Sequence, residues 1–191
     1  MKKSIARFIL KLIGWKVIMN TPPDTKKMVV MMAPHTSNWD FLLGWLGYMS
    51  IGVEAQYLIK KEAFFFPLGS ILKALGAISI DRKASNNVVI QIGDMFRNCE
   101  YLYLTITPEG TRSLNMNWKR GFYYMAENAK VPIGFGFLDY KEKTGGIGGT
   151  LFPSGDYNAD LKKIEAFYAG KQARYPEKFN LSPQNRKQES A

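Results

Sequence analysis

One cysteine and one histidine occur in the 191 residues. A lone Cys99 excludes an internal disulfide and fits a reducing compartment. With a single histidine beside it, no zinc site of Cys/His spacing can be assembled, so no metal is expected. Long apolar runs are also missing. The longest uncharged stretch, Phe41 to Val53, has 13 residues, short of the roughly 18–20 that a membrane-spanning helix requires. Acidic residues are scarce: 16 Asp and Glu stand against 26 Lys and Arg, for a net charge of +10. Neither an internal repeat nor a phosphate-binding glycine fingerprint is present. The glycine-rich TGGIGG at 144–149 lacks the Lys-Ser/Thr of a P-loop and reads as a hairpin turn.

What is present is ordinary for one globular domain, 46% apolar and 22% charged. The basicity is concentrated at the ends. Residues 1–27 carry +6 and residues 171–191 carry +3, leaving +1 for everything between. Basic ends on a near-neutral core suit attachment to an anionic surface. Nucleic acid is not the expected partner, because no RNP, zinc or helix-turn-helix signature accompanies the charge.

Residues 2–18, KKSIARFILKLIGWKVI, place Lys3, Arg7 and Lys11 on one helical stripe and Ile5, Phe8, Ile9, Leu12 and Trp15 across from it. That distribution describes a helix lying in a membrane interface with its cations toward headgroups; the alternative is a terminal helix packed on the domain. Arg7, Lys11 and Lys16 break the clean apolar core that a signal peptide would need. The expected division is a membrane-surface helix over 1–19, a single domain over 20–170, and a polar, partly flexible tail over 171–191. Basic ends without an export signal point to the cytoplasmic face of the cell membrane, with peripheral or monotopic attachment.

Within the domain, strand-like and helix-like segments alternate. Strands are expected at Val29–Ala33, Ala55–Lys60, Ala77–Ile80, Tyr101–Ile106 and Pro132–Lys141, with another near Thr150–Phe152. Helices are expected at Phe41–Ile51, Asn86–Asn98, Gly121–Asn128 and Asn158–Ala169. This pattern predicts an α/β fold with a mainly parallel central sheet flanked by helices, its site at the carboxyl ends of the strands.

Three polar groups follow strand ends. His35 is the one side chain with an unperturbed pKa near neutrality, and Asp40 lies five positions on, in or beside a first helical turn. A carboxylate on one ring nitrogen leaves the other free to accept a proton, although a lone histidine there also serves as a simple cap. Arg82 ends AISIDR and offers a fork to phosphate or carboxylate, or an ion pair with Asp81. The TPEGTRS turn brings Glu109, Gly110, Thr111 and Arg112 to one rim, and Gly110 allows a tight turn whose N–H groups can face an anion. Lys119, ahead of a helix start, adds a cation. Cys99 is an alternative nucleophile, with a small buried thiol as the plainer reading.

His35-Thr36-Ser37-Asn38-Trp39-Asp40 resembles the H-x4-D motif of the glycerolipid acyltransferases. Lys60 through Arg82 resembles their second block, Pro108-Glu109-Gly110-Thr111-Arg112-Ser113 their third, and Val131-Pro132-Ile133 their fourth. The four blocks occur in order across about 28–140, and the wider match is to lysophosphatidic acid acyltransferase-like proteins. The chain is short for that family. The resemblance implies O-acyl transfer from a fatty acyl thioester, on coenzyme A or acyl carrier protein, to the hydroxyl of a lysolipid. It makes His35 the general base, Asp40 its orienting partner, and Arg82, Glu109, Gly110, Thr111, Arg112 and Lys119 the acceptor site. The thioester is a co-substrate, and no cofactor is implied. Apolar residues of Phe41–Val53 and Phe64–Leu75 are candidates for an acyl groove or for plain core. Hydrolysis of the thioester and transfer to a lysolipid of different headgroup, such as an amino-acid lipid, are the alternatives.

Overall fold

The computed structural model describes residues 2–80 and 85–181, with backbone alone at 60, 80 and 85–87. The chain forms α1 (Lys2–Leu12), β1 (Lys16–Met19), β2 (Lys27–Met32), α2 (Asn38–Ile51), β3 (Ala55–Lys60), α3 (Leu68–Ala74) and β4 (Ala77–Ile80). It continues as α4 (Ser85–Asn98), β5 (Leu102–Ile106), α5 (Gly121–Ala129), β6 (Ile133–Asp139), β7 (Thr144–Leu151) and α6 (Tyr157–Tyr168). One seven-stranded sheet results, in the order β1-β7-β6-β2-β5-β3-β4. β6, β2, β5, β3 and β4 are mutually parallel; β7 runs against β6, and β1 runs with β7. The fold is α/β with a largely parallel sheet, as the alternating pattern predicts.

β2 occupies the middle of the sheet and is buried on both faces, which its run of Met and Val requires. Val29 and Met31 face a core built with α4, α5 and α6. Met28 and Val30 face the other side, where Tyr48 of α2 packs. Tyr168, the last residue of α6, is fully buried and its hydroxyl donates to the Met31 and Gly136 carbonyls at 2.8 and 2.9 Å. That bond fastens the final helix across β2 and β6 just below the end of β2.

The N-terminal segment departs from expectation. The helix stops at Leu12, and residues 16–19 form an edge strand instead of continuing it. Ala6 and Leu10 are buried against Leu43, Leu46 and Leu138. Two cations of the stripe, though exposed, reach α2: Arg7 Nε donates to the Ser50 carbonyl at 2.9 Å, and the Lys3 side chain lies over Gly52. Both cations therefore serve the carboxyl end of α2, where the helix dipole favours them. Ile5, Phe8 and Leu12 form an outward apolar stripe, with Leu12 75% exposed. No helix of the described residues is long and apolar enough to cross a membrane.

TGGIGG is not a turn. It is the body of β7, inserted between β1 and β6. The glycines are needed for close approach: a Cβ on Gly145 would stand 2.6 Å from Leu138 Cδ2, and one on Gly146 (φ +133°) would collide with the Ile18 carbonyl. The aromatic-rich segment after β3 contains the short helix α3, and residues 171–181 lie packed on the domain up to the limit of the described chain. Gly146→Ala is expected to lower the unfolding free energy by about 2–3 kcal/mol, from overpacking and backbone strain together, as measured by urea denaturation.

Candidate active site

Three loops meet where β2, β5 and β3 end. β2 delivers Pro34 and His35, and β5, its hydrogen-bonded neighbour, delivers Pro108, Glu109 and Gly110. Convergence follows from parallel pairing, which sends the chain out of adjacent strands at one edge.

Asp40 organises the β2 loop. Ser37 is the N-cap of α2 and Asp40 its third residue, so the two form a reciprocal capping box. Asp40 Oδ2 accepts the Thr36 and Ser37 N–H groups at 2.7 and 2.8 Å, and Oδ1 accepts the Tyr140 hydroxyl at 2.6 Å. The carboxyl is 3% exposed. His35 Nδ1 stands 3.6 Å from Oδ2, beyond hydrogen-bond length but within ion-pair range. Such contacts are commonly long before substrate arrives. With Nδ1 turned to Asp40, Nε2 is the nitrogen left for substrate.

Burial lowers the His35 pKa to about 4; Asp40 opposes the shift and the Arg112 charge adds to it. The imidazole is therefore neutral at physiological pH, the form a base requires. It borders a cleft of about 330 Å³. Thr107, Thr111 and Arg112 line the cleft with His35 at its polar side, while Phe41, Leu58 and Ile59 give an apolar wall. Of the apolar segments offered as an acyl groove, Phe41 reaches this cleft, whereas Leu43, Leu46 and Tyr48 are core.

Glu109 has a different place from the one expected. Its carboxyl is 3% exposed and faces the β2 loop, with both oxygens accepting the His35 N–H at 3.2 and 3.0 Å. Burial pushes its pKa up to about 8, against the His35 hydrogen bond and with the Asp40 charge adding. Glu109 thus holds the backbone that carries His35, and exposed Arg112 is the charge of this turn that faces the cleft. Gly110 (φ +67°) makes the turn, and its N–H is spent on the Thr107 carbonyl at 3.2 Å. Thr111 lines the cleft, and its hydroxyl accepts the Ser113 N–H at 3.3 Å. Lys119 lies beside the same turn: a Cβ on Gly110 would be 3.1 Å from Lys119 Nζ.

Arg82 lies outside the described residues. Cys99 is remote from this site. It follows α4 near the start of β5, where Lys27 at the start of β2 donates to the Phe96 carbonyl at 2.7 Å. His35 is at the other end of β2, a strand length of about 20 Å away. Among the described residues no group of three or more His, Cys, Asp or Glu side chains could hold a metal ion.

Two contributors were not visible in the sequence. Tyr140, just past β6, fixes Asp40 Oδ1, and the Arg174 guanidinium stands 5.9 Å from the centroid of the Tyr140 ring. The Tyr175 N–H donates to Thr36 Oγ1 at 3.3 Å, so the segment after α6 braces the β2 loop. Tyr140 is one hundred positions from Asp40, and no local pattern signals the contact. The hydroxyl of Tyr57, which also lines the cleft, is buried without a hydrogen-bond partner.

Comparison with known proteins agrees with this architecture. The family model described as Acyltransferase matches residues 16–134, and the chain belongs to that family. It is an acyltransferase, an enzyme that moves acyl groups other than aminoacyl. The fold resembles the crystal structure of the 1-acyl-sn-glycerophosphate (LPA) acyltransferase PlsC from Thermotoga maritima. That likeness has a TM-score of 0.54 at 13% identity, over 90% of this chain and 80% of that one. No curated protein matches.

Two measurements test the geometry. If His35 is the base, the acid limb of kcat/KM is expected near pH 4, where the ring protonates; a limb at 6.5 would show an unperturbed imidazole. Tyr140→Phe removes a donor from Asp40, strengthens the attraction of that carboxyl for His35, and should move the limb to higher pH with kcat/KM about tenfold lower.

Proposed function

We propose that the chain transfers an acyl group from a fatty acyl thioester, carried by coenzyme A or acyl carrier protein, to the hydroxyl of a lysolipid. The first candidate acceptor is 1-acylglycerol-3-phosphate, giving phosphatidic acid. The observation that carries this reading is His35: a neutral imidazole backed by Asp40 and open to a cleft that has Arg112 at its polar side and an apolar wall opposite. Such a cleft suits an amphiphile with an anionic head. Family membership supports the reaction class, and the acceptor named for the structural relative supports the choice of lysolipid.

In this mechanism the acceptor hydroxyl gives its proton to His35 Nε2 as its oxygen attacks the thioester carbonyl. An oxygen–carbon bond forms, the carbon–sulfur bond breaks, and the departing thiolate takes the proton from the imidazolium. Asp40 steadies the positive ring during that interval. No acyl-enzyme is formed, and no cofactor takes part. Arg112, with Lys119 beside the same turn, holds the acceptor's phosphate; Arg82 belongs to the same proposal by its motif.

The stripe of Ile5, Phe8 and Leu12 rests on the bilayer surface, and the basic ends of the chain favour the anionic cytoplasmic leaflet. Removing residues 1–18 is a poor test of this, because it also deletes most of β1. Phe8→Ser/Leu12→Ser leaves the buried Ala6 and Leu10 in place, and is expected to weaken sedimentation with phosphatidylglycerol vesicles by about tenfold.

The function is tested by offering the purified protein labelled acyl thioesters with a panel of lysolipids. Acyl transfer to lysophosphatidate is expected. Transfer confined to another headgroup would move the acceptor assignment, and release of free fatty acid alone would make the protein a thioesterase. His35→Ala should lower kcat by about 10²–10⁴-fold with the fold intact by circular dichroism. Arg112→Ala should act mainly on KM for phosphate-bearing acceptors.

A further inference from the structure

The edge of the sheet that holds His35 is also where large apolar side chains are left uncovered. Trp39, in the first turn of α2, is 52% exposed. Phe65 and Phe66, in the loop after β3, are 61% and 89% exposed. Leu114 and Met116, in the loop after β5, are each about half exposed. These residues come from segments following three neighbouring parallel strands, so they belong to the sheet edge that bears the cleft and do not form one helix face. None is in a buried core cluster.

Cations are interleaved with them. The Arg174 guanidinium stands 5.5 Å from the Trp39 ring centroid, and Lys178 Nζ stands 4.4 Å from that of Tyr175. Tyr175 is tied to the same loop through Thr36. Lys61 and Arg112 are exposed on the β3 and β5 loops, while Glu62 and Glu177 are exposed acids of these segments. Apolar tips with aromatic–cation pairs behind them match the layering of a bilayer interface, where rings and basic groups sit at headgroup depth and hydrocarbon lies below.

We infer that this rim is a membrane-docking face, separate from α1, which seats the mouth of the cleft on an anionic bilayer. Its occupant is the lipid surface itself. Phe65, Phe66, Leu114 and Met116 enter the acyl boundary, and the cations around them contact the headgroups. The inference rests on the reading of the acceptor as a lysolipid, because a cleft opening onto the bilayer lets a single-chain lipid enter without crossing water.

The test uses the full chain, vesicles of phosphatidylcholine with phosphatidylglycerol, and Phe65→Ser/Phe66→Ser, with Leu114→Ser/Met116→Ser as a second variant should the first not fold. With thermal unfolding unchanged, vesicle partitioning should weaken by about tenfold. Acylation of vesicle-embedded acceptor should fall with it, while acylation of a water-dispersed short-chain lysolipid is kept. Partitioning equal to that of the parent protein would overturn the docking face. So would a change in oligomeric state with partitioning intact, which would assign the rim to a second copy of the chain. If the parent protein acylates no lysolipid yet the rim variants lose vesicle binding, the acceptor assignment fails and the docking face stands.

Discussion

One carboxyl group, that of Asp40, carries the local architecture. It receives two backbone N–H groups that would otherwise be orphaned at the start of α2, it receives the Tyr140 hydroxyl from beyond β6, and it faces the ring of His35. The same buried group therefore starts a helix, joins two strand ends, and sets the electrostatic surroundings of the histidine. Because each of those partners constrains it from a different direction, its position is determined without help from substrate. In the proposed mechanism, pre-set charge of this kind does not have to reorganise as the His35 ring takes up a proton.

The two acids near His35 divide the work. Glu109 grips the peptide N–H and Asp40 faces the imidazole, so backbone and side chain are fixed separately. Burial drives the pair of titrating neighbours in opposite directions, His35 toward neutrality and Glu109 toward its protonated form. Both shifts reduce the charge held in a dry pocket. Arg112, exposed at the mouth, is the charge of its turn that faces the cleft.

Much of this was legible in the residues. β3 and β4 fall on the expected residues, and β2 and α2 within a few positions of them, because Pro34, the Thr-Ser-Asn cap and the apolar runs are strong local signals. The closeness of His35 and Asp40 followed from a helix start placed after a strand end. What the sequence concealed is non-local. Glycines read as a turn when their need was the close packing of β7 on β1 and β6. Lys3 and Arg7 read as headgroup contacts because nothing nearby shows that the carboxyl end of α2 waits for them. Tyr140 and Arg174 act across distances in sequence that no spacing rule covers.

The strand at the chain's start has its sheet partner at residues 144–147. During synthesis β1 must wait until most of the polypeptide has emerged before its hydrogen bonds can close, although α1 can meet α2 much sooner. The edge made first is thus the edge completed last, and the ladder between β1 and β7 closes a loop of well over a hundred residues.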